Sequence, residues 1–290
     1  MSDPTPPTAG HPYRAFVEAL VTATRAGQDL PLGGLGPLPR RPSVDRAATV
    51  MVLAPHPDDE CITGALPLRL LRRNGAQVVA VPVTLGSNRA RRAGRLAELE
   101  GACGFLGFDL MLPPPEARSA DPAAWRRAAD ALAVLIERAQ PQLLLYPHAT
   151  DWNRTHMGTH LLAVDALRLL PASFSCQVAE TEYWSTMPAP NLMVESTAEE
   201  TADLVAAISF YVGEVQRNPF HLRLPAWMQD NVRRGGEVVG GQGVTAPDFG
   251  FATLYGVRRL HEGKLEPAYS GGRHLPAEAD PGAFFSSLAS

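Results

Sequence analysis

The chain has few of the features that mark secreted or membrane proteins. Its three cysteines, Cys61, Cys103 and Cys176, lie far apart, are odd in number and lack C-x-x-C spacing. They predict free thiols in a reducing compartment, which excludes a disulfide framework. No apolar run approaches the ~20 residues that a membrane span needs. The N-terminus has neither the basic nor the apolar region of a signal peptide. We therefore expect a cytoplasmic protein without a membrane partner.

A strong charge of either sign is also lacking. The formal net charge is −4, which gives no electrostatic reason to expect nucleic acid or an anionic membrane as partner. The basic patches Arg89–Arg92 and Arg233–Arg234 are typical of solvated helix faces. No coiled-coil stripe requires self-association, so the sequence does not decide between a monomer and a homo-oligomer. The expected partner is a small-molecule substrate.

Strand and helix patterns alternate through the first part of the chain. Continuous apolar runs predict buried strands at Ala47–Ala54, Gln77–Leu85 and Gln142–Tyr146. Helical patterns lie between and after them, at Ile62–Arg73, Arg91–Leu106, Ala123–Ala139 and Thr155–Leu170. This alternation predicts a Rossmann-like, three-layer α/β/α fold with a mostly parallel sheet.

The two ends of the chain follow other patterns. A helix is expected at Tyr13–Ala26, before a Gly/Pro-rich linker. Beyond residue 175 the patterns predict strands at Gln177–Tyr183, Leu192–Glu195 and, last, Phe249–Val257, with an amphipathic helix at Ala198–Gln216 and a short helix at Pro225–Arg234. We expect a single domain over 1–290, with an N-terminal extension (1–45), a core that carries the site (47–170) and irregular C-terminal additions (175–290).

The segment Ala54–Glu60 (APHPDDE) places an imidazole and two adjacent carboxylates directly after the first predicted strand. Ligands of open α/β sheets bind at that end of a strand. His56 and Asp59 are ligand types that suit Zn²⁺, and Asp58 is then free to take a proton from water. An ordinary helix start would explain the acids. It would not explain His56.

A catalytic zinc needs a third protein ligand. Three histidines, His148, His156 and His160, follow the predicted strand Gln142–Tyr146 and lead into the next helix. His156 and His160 share one helical face at i, i+4. Spacing alone does not choose among the three.

These motifs resemble the PIG-L/LmbE-like family of zinc-dependent N-deacetylases. Pro55–Glu60 matches the family's A-H-P-D-D-E-type motif, Arg95–Gly107 is in register with its R-x-x-E-L-x-x-A-x-x-x-L-G helix, and His156–Thr159 matches its H-x-x-T helix start. The resemblance covers about residues 47–170, with weaker similarity through Ala198–Gln216.

The resemblance implies Zn²⁺, or another divalent metal, bound by His56, Asp59 and His156. It also implies Asp58 as general base and Arg95 on the substrate side. The implied activity is metal-assisted hydrolysis of an N-acetyl group on a small amino sugar or its conjugate, such as an N-acetylglucosamine derivative.

The chain departs from the family at Asn153, where well-studied members carry a catalytic histidine. Asp151 likewise stands where some members have a tyrosine. The acid or oxyanion-stabilising role would then shift to His148, His160, Arg95 or the metal. Asn153 remains a candidate hydrogen-bond donor to a developing oxyanion. We expect Arg95, Asn153 and His160 to bind the substrate.

Alternative functions also follow from the sequence. A zinc hydrolase acting on another amide or an ester would use the same scaffold. A non-catalytic sugar- or nucleotide-binding module ranks low, because Pro55–Glu60 contains no glycine and thus no G-x-G-x-x-G loop. Ser87 and Asn88 are candidate substrate contacts. The segment Phe210–Trp227, with Phe220 and Trp227, is a candidate wall, although aromatics at such spacing more often belong to a core.

Overall fold

The computed structural model describes residues 11–39, 48–113 and 122–288. Residues 1–10 and 40–47 of the predicted extension, linker and first strand lie outside the described residues. The strands are β1 (Thr49–Ala54), β2 (Gln77–Pro82), β3 (Asp109–Leu110), β4 (Leu143–Pro147), β5 (Cys176–Thr181), β6 (Leu192–Ser196), β7 (Phe251–His261), β8 (Lys264–Pro267) and β9 (Arg273–Leu275). The α-helices are α1 (Arg14–Ala26), α2 (Ala65–Asn74), α3 (Arg92–Leu106), α4 (Pro122–Ala139), α5 (Arg154–Arg168), α6 (Ala198–Ile208), α7 (Val212–Arg217), α8 (Leu224–Val238) and α9 (Pro281–Ser287).

The described strands form a single sheet in the order β3-β2-β1-β4-β5-β7-β6-β9, with β8 paired to β7. β3, β2, β1, β4 and β5 are mutually parallel. β7 is antiparallel to its neighbours β5, β6 and β8. The predicted fold class, a mostly parallel sheet in a three-layer α/β arrangement, is confirmed.

Helices cover both faces of the sheet because successive strand residues point to opposite sides. Val50 and Val52 of β1 pack in a core with residues of α2, α3, α6 and α8. Met51 and Leu53, the alternate residues, pack in a second core with α4 and α5. Both faces of β1 are therefore buried, which explains its continuous apolar run.

The chain order reverses between β1 and β4. From β1 the chain proceeds outward to β2 and β3, and then returns to place β4 on the other side of β1, with Met51 opposite Leu144. Loops that leave the carboxyl ends of two such neighbouring strands diverge and leave a crevice. The segments after β1 and β4 contain the histidine and carboxylate clusters, so the topology brings them to one edge.

Several predicted elements differ from the structure. The single helix expected at Ala198–Gln216 is two helices, α6 and α7, because the chain turns at Ser209–Tyr211 where Tyr211 enters the core. The short helix expected at Pro225–Arg234 continues to Val238. The strand expected at Phe249–Val257 is β7, and it is followed by β8 and β9, which extend the same sheet.

The predicted helix at Tyr13–Ala26 is present as α1, but it buries none of its residues. Phe16, Val17, Leu20 and Val21, which have helical spacing, are exposed. Among the described helices, none is long and apolar enough to cross a membrane.

Arg69 joins the core helix α2 to the C-terminal part of the chain. Its side chain is fully buried and donates two hydrogen bonds to the Glu200 carboxylate, at 2.9 and 2.6 Å. It also donates to the carbonyl oxygens of Glu195 and Pro276. Burial opposes the charged form of Glu200, but hydrogen bonds from Arg69 and the Thr197 backbone outweigh it and lower the Glu200 pKa.

Glu200→Gln should destabilise the fold, because it leaves the buried Arg69 guanidinium without its counter-ion. We expect the free energy of unfolding at pH 7 to fall by about 3–5 kcal/mol. The pKa of Glu200 is lowered in the folded state, so the wild-type pair stabilises fully above an unfolded-state pKa of about 4.3 and loses this effect as the pH falls through the folded-state pKa. Urea unfolding at several pH values measures both effects.

Asp203→Asn supplies the matched control. Asp203 accepts a hydrogen bond from Arg72 across the same pair of helices, but both side chains are partly exposed. The control should lose less than about 1 kcal/mol. Equal losses in the two variants, or a Glu200→Gln loss that does not shrink at acid pH, would contradict the role given to Arg69.

Candidate active site

One carboxylate oxygen lies between two imidazole rings at the carboxyl edge of the sheet. Asp59 Oδ2 is 3.2 Å from His56 Nδ1 and 3.3 Å from His156 Nε2. The same oxygen accepts a hydrogen bond from the His56 backbone N–H at 2.8 Å. His56 and Asp59 follow β1, whereas His156 lies in the first turn of α5 after β4. The three predicted metal ligands are therefore brought together.

The turn after β1 holds Asp58 in an unusual backbone conformation. Its φ is +115°, a region that non-glycine residues rarely adopt and that costs of order 1–3 kcal/mol. Its backbone N–H donates to Glu60 Oε2 at 3.1 Å, and the Glu60 carboxylate accepts a hydrogen bond from the hydroxyl of the buried Tyr211. Glu60 thus stabilises the turn by linking its backbone to the buried Tyr211.

His156 is buried, and within the described part of the chain neither ring nitrogen has a hydrogen-bond partner. Its Nδ1 lies 3.6 Å from Asp151 Oδ2, on the side opposite Asp59. Burial lowers the pKa of His156, but the two carboxylates outweigh it and raise the pKa to about 9. Burial raises the pKa of Asp59, and the two histidines oppose it strongly enough to hold that pKa well below its usual range.

The adjacent Asp58 has the opposite shift. Burial raises its pKa well above the usual range, and the carboxylates of Asp59 and Glu60 raise it further, while Arg95 opposes them. Two neighbouring carboxyl groups whose pKa values are pushed apart are typical of a division of chemical roles. Asp59 is held as an anion, and Asp58 is suited to accept a proton near neutral pH.

The His-Asp-His group fits a divalent cation. One ligand atom from each of His56, Asp59 and His156 lies within 4.8 Å of the others. A tetrahedral zinc with bonds of 2.0–2.2 Å separates its ligand atoms by about 3.4 Å, close to the observed 3.2 and 3.3 Å. The partnerless nitrogens of His156 and the nearby Asp151 carboxylate match a ligand with its outer-shell partner.

A cavity of about 340 Å³ opens over this group. Asp58, Arg95 and Asn153 line it close to His56 and Asp59. The remaining lining residues come from the loop after β5 and from the segment that contains α7 and the start of α8: Ile62, Tyr183, Trp184, Glu214, Arg217, Asn218, Phe220, Arg223, Leu224 and Trp227. The predicted wall residues Phe220 and Trp227 do line the cavity, whereas Phe210 packs in the core against Phe105.

Two of the predicted substrate residues line this cavity. Arg95 donates a hydrogen bond to the Pro57 carbonyl at 3.1 Å, which ties α3 to the turn that carries Asp58. Asn153 is the N-cap of α5, and its Oδ1 accepts from the Thr155 backbone N–H. The cap uses the carbonyl oxygen of Asn153 and leaves its amide N–H groups for other partners.

Other candidates lie elsewhere. His160 points away from the cavity: its Nδ1–H donates to the Pro147 carbonyl at 3.0 Å, and the residue lines a different cavity beside Arg258. Both nitrogens of His148 have partners, Thr150 and the Ser185 carbonyl. Ser87 and Asn88 do not line the cavity, and Asn88 caps a short turn.

Sequence reasoning missed several residues of the site. The Asp151 carboxylate contacts His156 and accepts hydrogen bonds from the backbone N–H groups of Asn153 and Trp184. Tyr183 packs edge-on against the His156 ring, with centroids 4.9 Å apart. Glu214 lines the cavity from α7. The position of Asp151, five residues before a candidate ligand, was a usable signal, whereas the other two depend on distant folding.

The fold and this site define the class: a mostly parallel α/β protein with a candidate metal-hydrolase centre at its topological switch point. The family model for GlcNAc-PI de-N-acetylase, PIG-L, matches residues 51–167. The resemblance of this core to the PIG-L deacetylases is therefore confirmed. A comparison with curated protein sequences finds no match.

Solved structures share this fold at low sequence identity. N,N'-diacetylchitobiose deacetylase from Pyrococcus horikoshii is 15% identical with a TM-score of 0.54, over 90% of this chain and 95% of that one. A zinc-inhibited form of a teicoplanin deacetylase is 16% identical with a TM-score of 0.51, over 73% and 98%. GalB, a 4-carboxy-2-hydroxymuconate hydratase from Pseudomonas putida, is 18% identical with a TM-score of 0.53, over 72% and 95%. At these identities the likeness concerns the fold.

Replacing Asp58 tests whether the turn is strained. Asp58→Gly relieves the positive φ, whereas Asp58→Ala removes the carboxylate and retains the strain. In metal-free protein we expect Asp58→Gly to be more stable than Asp58→Ala by about 1 kcal/mol. Urea unfolding measures the difference. An alanine variant as stable as the glycine variant would show that the turn stores no strain.

Proposed function

We propose that this protein is a zinc-dependent hydrolase that removes an N-acetyl or other N-acyl group from a small amino sugar or amino-sugar conjugate. The observation that carries the proposal is the Asp59 carboxylate between His56 and His156, with Asp58 beside it at the end of a cavity. The match of residues 51–167 to the PIG-L family model supports the reaction class.

His56, Asp59 and His156 would hold the metal. Two imidazoles and a carboxylate are the donor set of catalytic zinc sites that keep one position open. When bound, the ion supplies Lewis-acid polarisation of a carbonyl and makes water more acidic. Asp151 would orient the His156 ring from the far side, as outer-shell carboxylates do.

Asp58 is the proposed general base. Its carboxylate takes a proton from the attacking water as the water oxygen bonds to the acyl carbon. When the carbon–nitrogen bond breaks, the leaving nitrogen needs one proton, and Asp58 returns the one that it took. The products are a carboxylic acid and a free amine. The same residue thus serves as base and then acid, and the raised pKa of Asp58 suits both steps.

Asn153 is the proposed oxyanion donor. It lines the cavity, and its cap uses only the carbonyl oxygen of the side chain. An amide N–H directed at the oxygen of the attacked carbonyl would stabilise the charge that develops there. His160 lies outside the cavity, so the proposal gives it no role in substrate binding.

The cavity suits a small, amphiphilic substrate. Its volume of about 340 Å³ falls at the lower end of the range for ligand pockets. Its lining combines polar groups such as Arg95 and Glu214 with apolar rings such as Phe220 and Trp227. A sugar ring presents hydroxyl groups at its edge and C–H groups on its faces, which matches such a mixture. We also infer that the chain acts as one domain, because α7 and α8 from its C-terminal part line the cavity of the core.

The metal and proton roles separate in two alanine variants. Asp58→Ala should retain zinc and lose deacetylase turnover by at least about 100-fold, because only the proton acceptor is removed. His56→Ala should lose zinc together with turnover. Metal content per chain, measured after dialysis, is compared with the rate of acetate release.

A triple His56/Asp59/His156 alanine variant that still binds zinc would overturn the assignment of the site. The substrate class is tested on the zinc-loaded protein with a panel of N-acyl amino sugars, simple amides and esters, with acid and amine release both measured. Turnover of N-acyl amino sugars is the expected result. Turnover confined to esters or to non-sugar amides would contradict the proposed substrate.

Asn153→Ser tests the oxyanion role. Serine is as good an N-cap as asparagine but lacks the amide donor. We expect the free energy of unfolding to stay within about 0.5 kcal/mol and kcat to fall about 100-fold with little change in KM. Asn153→Ala, which removes the cap as well, should lose both stability and kcat. An unchanged kcat in Asn153→Ser would remove Asn153 from the mechanism.

A further inference from the structure

Two tryptophans beside the cavity are exposed to an extent that packing does not require. Trp152 is 75% exposed and Trp184 59% exposed, whereas Trp125 and Trp227 are half-buried. Large aromatic side chains contribute most to stability when buried, so neighbouring exposed indoles usually mark a binding surface. We call Trp152 and Trp184 together the tryptophan shelf.

The tryptophan shelf is continuous with the candidate active site. Trp184 lines the cavity that contains His56 and Asp58. It directly follows Tyr183, which packs on His156. Trp152 meets Trp184 with ring centroids 6.3 Å apart and the ring planes inclined at 61°. The two indoles therefore form an exposed corner, and one of them also lines the cavity.

Backbone hydrogen bonds to one buried carboxylate hold the shelf in place. The carboxylate of Asp151 accepts from the Trp184 backbone N–H at 3.2 Å and from the Asn153 backbone N–H at 2.8 Å. Asp151 itself is buried, and it also lies next to His156. Trp152 lies between Asp151 and Asn153 in the sequence, and both of these residues take part in the hydrogen bonds. A surface held rigid before binding loses little entropy when a ligand arrives.

We propose that the tryptophan shelf binds a second pyranose ring of the substrate, linked to the sugar whose N-acyl group lies at His56, Asp58 and Asp59. This inference rests on the proposed function and narrows its substrate to a disaccharide or larger glycoside. A pyranose ring has a flat face of C–H groups that packs against an indole. An acyl chain, in contrast, is best bound where it is enclosed on all sides, which exposed flat faces do not offer.

The cavity volume agrees with the placement of one ring inside the cavity and a second ring on the tryptophan shelf. About 340 Å³ is at the lower end of the range for ligand pockets, so the enclosed space suits one ring and its acyl group. A second ring would then lie outside the enclosed space, against the exposed part of Trp184. Specificity for the longer substrate would come from Trp184 and Trp152, and the reacting group would be held by the inner residues.

The test compares two ligands that differ by one ring, N-acetylglucosamine and its β-linked disaccharide N,N'-diacetylchitobiose. Binding is measured by calorimetry on the zinc-loaded Asp58→Ala full chain, which should not consume either ligand. We expect the disaccharide to bind about tenfold more tightly. Adding Trp184→Ala should abolish this difference. Adding Trp152→Ala, at a residue that does not line the cavity, should reduce the difference and leave monosaccharide affinity within about twofold. Trp184→Phe, which keeps an aromatic face, should restore most of the preference.

Leu161→Ala is the matched control, because Leu161 is an exposed apolar residue on the same helix as His156 but does not line the cavity. It should leave both affinities unchanged. Equal affinities for the two sugars, no binding of either, or a preference that survives Trp184→Ala would overturn the shelf. Wild-type turnover is measured in parallel. Absent turnover with Trp184-dependent binding would refute the proposed reaction and retain the shelf.

Discussion

The contact of one carboxylate with two imidazoles is the constraint on which the site depends. Asp59 is buried, and a buried charge is tolerated only with partners. Its partners, His56 and His156, come from the ends of two strands that are distant in sequence and adjacent in the sheet. Convergence of these groups therefore requires the register of β1 on β4. The same convergence places the Asp59 carboxylate beside Asp58, and the pKa of Asp58 is raised whereas that of Asp59 is lowered.

The C-terminal part of the chain supports the site and adds lining residues to the cavity. The hydroxyl of Tyr211 reaches Glu60 beneath the turn that carries Asp58, and Arg69 of α2 holds Glu200 of α6. From this support, α7 and the start of α8 extend over the cavity. The part of the cavity around His56 and Asp59 is thus built from the parallel core, and the wall formed by α7 and α8 is built from later segments.

The sequence predicted the parts of the structure that depend on local pattern. Continuous apolar runs identified β1, β2 and β4, and the strand-to-helix turns brought the two histidine clusters to one edge, as the fold class requires. Spacing could not choose among His148, His156 and His160, because that choice depends on which ring nitrogens find other partners. The break after α6 was also missed. The turn there places Tyr211 in contact with Glu60, 151 residues away, and no local pattern indicates such a contact.

The central claim is that His56, Asp59 and His156 form one metal site. A crystal of the zinc-loaded protein, with anomalous diffraction recorded on both sides of the zinc edge, tests it most directly. We expect a single strong peak about 2.0–2.2 Å from one atom of each of the three side chains. A peak at other residues, or none near Asp59, would contradict it.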